Sequence, residues 1–111
     1  MTVVVEGLIL DDWHVTTDAG GSPMPCLGLT LDLPEGCRLM GGARIDADST
    51  HMDPATGAVE ASGRFRMTQD VWLTCSQGTH EMSGTVQFQA CDAERCLPPR
   101  AFEFTESIVV R

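Results

Sequence analysis

CLGLTLDL, at residues 26–33, is the stretch that decides the fold class, because its leucines recur at every second position. Successive side chains of a β-strand point to opposite faces, so the leucines share one face, whereas Cys26 and the other intervening residues share the opposite one. An α-helix would mix the two sets. The stretch therefore predicts a strand with one buried face.

VEASGRFRM, at residues 59–67, alternates in the same way. Its odd-numbered residues, from Val59 to Met67, are expected to point inward, and its charged residues to face water. Asp46–Ala58 is expected to be a long irregular connection. Further strands are expected at Thr2–Leu10, Trp13–Thr17, Leu39–Ile45, Asp70–Thr74, Met82–Ala90 and Phe102–Val110.

Turn signals separate these candidate strands, and no segment sustains the apolar period of a helix. The signals include residues 18–25, Pro34-Glu35-Gly36 and Pro98-Pro99. Seven or eight short strands predict an all-β chain, specifically an immunoglobulin-like antiparallel β-sandwich, with a small barrel as the alternative. With 111 residues, we expect a single domain that spans residues 1–111.

The charge balance excludes one broad class of partner. Sixteen acidic residues stand against seven basic ones, all of them arginine, which gives a net charge of −9. Nucleic-acid binding requires clustered positive charge, so a nucleic-acid partner is not expected. No apolar run approaches the roughly 20 residues of a membrane span, so insertion into a membrane is not expected either.

Five cysteines are unusual for a chain of this length. Reduced cytosolic proteins seldom carry so many without a metal-binding or redox purpose, which favours an oxidising compartment. The first residues lack a basic segment, and acidic residues interrupt the apolar stretch that follows, so they do not resemble a signal peptide. We therefore expect an excised or mature extracytoplasmic domain, with a cytosolic protein as the alternative.

Cys91 and Cys96, separated by four residues, are the candidate redox pair. Continuing the alternation of the preceding strand puts Cys91 on its polar face, near the surface, where a thiol that exchanges with another protein must be. A structural disulfide is the competing interpretation. On the loop-entropy model, a disulfide that closes so short a loop stabilises the folded protein by about 2 kcal/mol, against about 4 kcal/mol for a disulfide across some 50 residues. This small contribution favours the redox interpretation.

Metal ligation by these cysteines is the weakest of the interpretations. Their spacing is not that of zinc sites, and His14, His51 and His80 lie in separate segments. A copper site would need soft ligands such as Met24, Met52 or Met82, but no single loop contains a cluster of Cys, His and Met residues. Neither a metal nor any other cofactor is expected.

FQACDAERCLPP, at residues 88–99, resembles the redox motif of the N-terminal periplasmic domain of the DsbD thiol:disulfide interchange proteins. Trp13-His14-Val15 and the strand that ends in Leu33-Pro34-Glu35-Gly36 resemble further segments of that domain. The resemblance implies an immunoglobulin-like sandwich in the periplasm. It also implies that electrons arrive from a membrane-embedded or thioredoxin-like donor and pass to oxidised thioredoxin-fold partners.

The same resemblance implies roles for individual residues. Cys96 would form the mixed disulfide with the partner, and Cys91 would resolve it. Gln89 and Pro98 flank the pair within the motif, and His14 stands near the position of a flanking tyrosine in the family. The family covers its site with a cap loop that contains aromatic residues, and Asp46–Ala58 occupies the corresponding region without Phe or Tyr; His51 or Met52 would be its cap residue.

The remaining cysteines are expected to bear on stability. Cys75 should face the core, Cys26 lies on the polar side of its strand, and Cys37 follows a turn. One further disulfide among these three cysteines is consistent with an oxidising compartment. The sequence leaves all three pairings open, and Cys26–Cys37 is the most attractive. Two other function classes therefore remain: a non-catalytic binding sandwich with structural disulfides, and a metal-binding sandwich.

Overall fold

The described part of the chain forms two antiparallel β-sheets. The computed structural model describes residues 1–21 and 25–111, and none of these residues is helical. The prediction of an all-β chain is confirmed, and the paired sheets are consistent with a β-sandwich; the immunoglobulin-like arrangement stays a prediction. The strands are β1 (Thr2–Ile9), β2 (His14–Asp18), β3 (Gly28–Asp32), β4 (Arg38–Met52), β5 (Val59–Trp72), β6 (Gly78–Phe88), β7 (Ala90–Cys91) and β8 (Arg100–Val110).

The long strand β5 organises the first sheet. Strand β4 pairs along one edge of β5, from Arg38 opposite Trp72 to Met52 opposite Val59. Strands β1 and β2 follow one another along the other edge of β5. Strand β2 also pairs with the short strand β7, which carries Cys91. The sheet therefore positions the cysteine motif beside β2, near Val59, the first residue of β5.

The second sheet has the order β3, β6, β8 and faces the first across an apolar core. Leu27 and Met67 are buried, and Ala61 and Met67 are fully enclosed, as their alternation predicts. Two core clusters result. One contains Ile9, Val15, Leu27, Ala61, Met67 and Val86, and the other contains Val3, Val71, Met82 and Ile108.

Residues 46–52 were expected to be irregular, and that expectation is wrong. They extend β4, and the connection shortens to a turn in which the backbone N–H of Asp53 donates to the Ala58 carbonyl (2.8 Å) and that of Gly57 to the Asp53 carbonyl (2.7 Å). Gly57 adopts a φ of 76°, which suits glycine. Most residues of β4 are exposed, and of this strand Ile45 and Ala47 pack against the first core cluster, so hydrogen bonds to β5 are the main interactions that form it.

Two further expectations about strands change. The expected strands Val59–Met67 and Asp70–Thr74 are one continuous strand, β5, because β1 and β4 pair with it on both edges through the intervening residues. Part of the turn expected at residues 18–25, together with Met24, lies outside the described residues.

Candidate functional site

The cysteine motif begins where the chain changes from one sheet to the other. Strand β6 ends at Phe88 in the second sheet, and β7 begins at Ala90 in the first. Gln89 lies between them, and the change of sheet breaks the alternation that β6 follows. Cys91 is consequently buried, with 4% of its surface exposed, so the expectation that it lies near the surface is wrong.

Cys91 and Cys96 form a disulfide across a tight hairpin. They lie opposite each other in an antiparallel bridge, with Cα atoms 4.0 Å apart. The flanking backbone makes the hydrogen bonds: the N–H of Leu97 donates to the Ala90 carbonyl (2.9 Å) and that of Asp92 to the Arg95 carbonyl (2.8 Å). The cysteines are thus a non-hydrogen-bonded pair, the position at which opposed side chains come closest.

The two cysteines of the pair differ in their exposure to solvent. Cys91 lies beside β2, opposite His14, and is buried. Cys96 belongs to the exposed turn that follows. Thiol–disulfide exchange needs an attacking thiolate to reach one particular sulfur, and Cys96 is the exposed member of the pair.

Asp92 orders the turn between the cysteines. Its Oδ1 accepts hydrogen bonds from the backbone N–H groups of Glu94 and Arg95, both at 2.8 Å. These two hydrogen bonds, and secondarily the nearby Arg95 guanidinium, hold the pKa of the Asp92 carboxyl below its usual value. Sequence reasoning missed this role, although an aspartate at the start of a short turn is a known signal for such bonds.

Strand β2 supplies the neighbours of the hairpin. His14 pairs with Cys91 in the sheet, and its Nε2 lies 3.4 Å from Glu60 Oε1. The Arg95 guanidinium stands 5.9 Å from the centre of the Trp13 ring, a cation–π contact that ties the turn to the start of β2. The structure thus brings His14 to the pair and adds Trp13, which the sequence offered only as the residue preceding His14.

Gln89 and Pro98 flank the disulfide as the motif suggests. The Gln89 side-chain Nε2 donates to the Leu97 carbonyl at 3.0 Å, which braces the base of the hairpin. Pro98 follows Leu97 and is exposed. Both residues therefore lie at the end of the hairpin opposite its turn.

His51 and Met52 are not brought to the disulfide. Both are exposed residues at the end of β4, and strands β5 and β2 lie between β4 and β7 in the sheet. Neighbouring strands are about 4.8 Å apart, so three strand spacings separate these residues from Cys91. The cap suggested for His51 or Met52 is therefore absent from the described site.

An apolar groove of about 640 Å³ opens beside the hairpin. Its lining includes Leu97, which follows Cys96, and Trp13, which contacts Arg95 of the hairpin. Leu10, with 68% of its surface exposed, and Phe102, with 62%, line it as well. Exposed apolar surface of this kind is characteristic of sites that contact other molecules.

Other kinds of site find no support within residues 1–21 and 25–111. No three His, Cys, Asp or Glu side chains in these ranges are grouped so that they could hold a metal ion. The described residues also contain no helix that is both long and apolar enough to cross a membrane.

Removing the Asp92 carboxylate is expected to make the disulfide easier to reduce. The ordered turn keeps the two reduced thiols together, so its loss favours the open dithiol. For Asp92→Ala we expect the equilibrium constant for disulfide formation to fall about tenfold, which is about 30 mV. Asp92→Asn is the matched control, because its side-chain oxygen can still accept both hydrogen bonds, and it should change the constant less.

The effect of pH on this turn follows from the lowered pKa. The stabilisation is fully present above the ordinary aspartate value of 3.8 and is lost as the pH falls through the lower value of the folded protein. The two variants and the unaltered protein are therefore compared by equilibration with glutathione at pH 7, where Asp92 of the unaltered protein is ionised. Equal constants for Asp92→Ala and the unaltered protein would contradict the role assigned to this carboxylate.

Comparison of the chain with protein families, with curated proteins and with solved structures gives no match.

Proposed function

We propose that this chain is a thiol–disulfide exchange module that relays electrons through the Cys91/Cys96 pair. The observation that carries the proposal is the asymmetry of the pair, in which a buried Cys91 is bonded to an exposed Cys96 at the end of a hairpin. Transfer of two electrons needs one accessible sulfur that bonds to the partner and a second sulfur that resolves the mixed disulfide, and a buried second sulfur is kept from reacting with the partner first.

The reduced pair transfers electrons in two balanced steps. The Cys96 thiolate attacks one sulfur of a partner's disulfide, that disulfide breaks, and its other sulfur leaves with the electron pair and takes up a proton. The Cys91 thiolate then attacks Sγ of Cys96 and displaces the partner's remaining sulfur as a thiolate. The partner gains two electrons as a dithiol, and Cys91–Cys96 becomes a disulfide.

Recharging the module reverses these steps with a different protein. A donor thiolate attacks the exposed Cys96, the bond to Cys91 breaks, and Cys91 leaves with the electron pair. The donor's second thiol then releases Cys96, so the donor is oxidised and the module is reduced. The resemblance of residues 88–99 to the redox motif of the DsbD N-terminal domain supports three parts of this proposal: a membrane-embedded or thioredoxin-like donor, oxidised thioredoxin-fold acceptors and a periplasmic location.

The shortness of the loop that the disulfide closes supports a redox role over a structural one. Cys91 and Cys96 are five positions apart, and the hairpin between them already has its own backbone hydrogen bonds. Bridging so short a loop constrains the unfolded chain little. A bond that contributes little to stability can open and close without unfolding the domain.

The apolar groove supports a protein as the exchange partner. Leu97, the residue after the exposed Cys96, is one of its lining residues, and the lining also includes the exposed Leu10 and Phe102. A thioredoxin-fold partner that covers this groove would bury apolar surface while its own sulfur meets Cys96. No direct contact with a membrane is needed for such an exchange.

Equilibration with glutathione tests the proposal against its main alternative. In a non-catalytic binding sandwich the Cys91–Cys96 bond would be structural and would remain oxidised under conditions that reduce exchange-active disulfides. In a relay module the bond equilibrates with the buffer, and the potential at which it is half reduced lies within the range of reduction potentials of known redox proteins. The readout is the fraction of Cys91 and Cys96 that an alkylating reagent modifies.

A further inference from the structure

A second pair of cysteines meets at the other end of β5. Cys37 immediately precedes β4, and Cys75 follows β5. Strands β4 and β5 begin their pairing with Arg38 opposite Trp72, so the two cysteines flank the open end of this long hairpin. The Cys91–Cys96 disulfide lies near the opposite end of β5, where β2 pairs with it.

The backbone segments that carry these cysteines are in direct contact. Gly36 has a φ of 88°, and a Cβ placed on it would lie 3.2 Å from the Cα atom of Cys75 and 3.2 Å from the Thr74 carbonyl oxygen. The Thr74 hydroxyl also donates a hydrogen bond to the Gly36 carbonyl. The turn before β4 is therefore held against the segment after β5, and the positive φ together with this close approach favours glycine at position 36.

The side chains complete the contact. Cys75 is buried, and Cys37 packs against the core cluster of Val71 and Met82. The influence of Cys37, together with burial, raises the pKa of the Cys75 thiol. The backbone contact of residues 36 and 75 and the influence of Cys37 on this pKa both place the two cysteines side by side.

We propose that Cys37 and Cys75 are a second disulfide-forming pair, which on oxidation locks the open end of the β4–β5 hairpin. This pairing differs from the Cys26–Cys37 pairing that the sequence made most attractive. A disulfide here would close a loop that contains the whole of β4 and β5, and bridges across long loops constrain the unfolded chain more than short ones.

The oxidant is a small disulfide such as oxidised glutathione, or a protein that donates its disulfide. The thiolate of Cys37 attacks one sulfur of the oxidant, whose other sulfur leaves as a thiolate and takes up a proton. Cys75 then loses its proton and displaces the second glutathione from Cys37. Two protein thiols and one oxidised glutathione become one protein disulfide and two reduced glutathiones.

Cleavage after glutamate maps this pairing without ambiguity. Glutamates at positions 35, 60, 81 and 94 lie between successive cysteines, so each of the five cysteines falls on its own peptide. The full chain is incubated with oxidised glutathione, alkylated, cleaved without reduction and analysed by mass spectrometry. We expect the peptide of residues 36–60 to be linked to that of residues 61–81.

Two variants and a second measurement keep this test decisive. Cys26→Ser should retain the linked peptides, and Cys75→Ser should lose them. Oxidation of the unaltered protein should also raise its Tm by about 10 °C beyond any change seen in Cys75→Ser. A link between residues 7–35 and 36–60, or alkylation of both Cys37 and Cys75 after oxidation, would overturn the proposal, whatever the outcome for Cys91 and Cys96.

Discussion

In a Cys91→Ser variant, Cys96 is expected to stay covalently joined to an oxidised thioredoxin-fold protein. The exposed Cys96 thiolate can still attack the partner's disulfide, but the buried sulfur that would release the partner is gone. The mixed disulfide then becomes a main product. We expect at least about tenfold more adduct than the unaltered protein gives, measured by non-reducing electrophoresis after mixing the reduced variant with oxidised thioredoxin.

Cys96→Ser is the matched control for this experiment. It retains Cys26, Cys37, Cys75 and a single cysteine of the pair, and that remaining sulfur is buried beside β2. It should give little adduct. Trapping by Cys96→Ser alone would reverse the two roles, and an adduct that maps to a peptide other than residues 95–103 would contradict the site.

Met67→Ala is expected to lower the free energy of unfolding by about 3 kcal/mol. Met67 has none of its surface exposed and packs in the core cluster with Ile9 and Val86, where the two sheets meet. Removing most of its side chain loses apolar burial and leaves a cavity between the sheets. Urea unfolding of the oxidised protein measures the change.

Met52→Ala is the control for the loss at Met67. Met52 is also a methionine on a strand of the first sheet, but 61% of its surface is exposed at the end of β4. Its replacement should change the free energy of unfolding by no more than about 0.5 kcal/mol. Equal losses for the two variants would mean that the core does not lie between the two sheets.

Alternation predicted the buried faces of the fold because burial imposes it. Ala61 and Met67 of β5 lie in the core, and so does Leu27, which immediately precedes β3, as the alternation at odd-numbered positions predicts. The alternation of β6 is also present, with Met82 and Val86 buried on one face. Wherever one face of a strand packs against the other sheet, the sequence carries the pattern that reveals it.

Elements without such a buried face escaped prediction. Residues 46–52 are mostly polar and exposed, and their strand forms chiefly because the backbone pairs with β5, which leaves little trace in side-chain hydrophobicity. Cys91 was assigned to the wrong face because the chain leaves one sheet at Phe88 and joins the other at Ala90. When the chain changes from one sheet to the other, the alternation begins again in a new phase, and the local sequence does not indicate where this happens.

The candidate site was partly predictable for the same reason. Short spacing and the motif indicated the Cys91/Cys96 pair, and His14 does lie beside Cys91. The contact of Trp13 with Arg95 and that of Cys37 with Cys75 depend on how distant segments pair, which spacing along the chain does not encode. His51 and Met52 were assigned to a cap on the assumption that their segment was a loop.

The reduction potential of the Cys91–Cys96 disulfide tests the central claim most directly. The protein is equilibrated in glutathione buffers or, for more reducing conditions, in dithiothreitol buffers, then alkylated, and the peptides of residues 82–94 and 95–103 report this pair separately from the other cysteines. A relay module should be half reduced between about −270 and −120 mV, the range of known exchange proteins. A pair that stays oxidised below about −300 mV would be a structural disulfide and would contradict the relay.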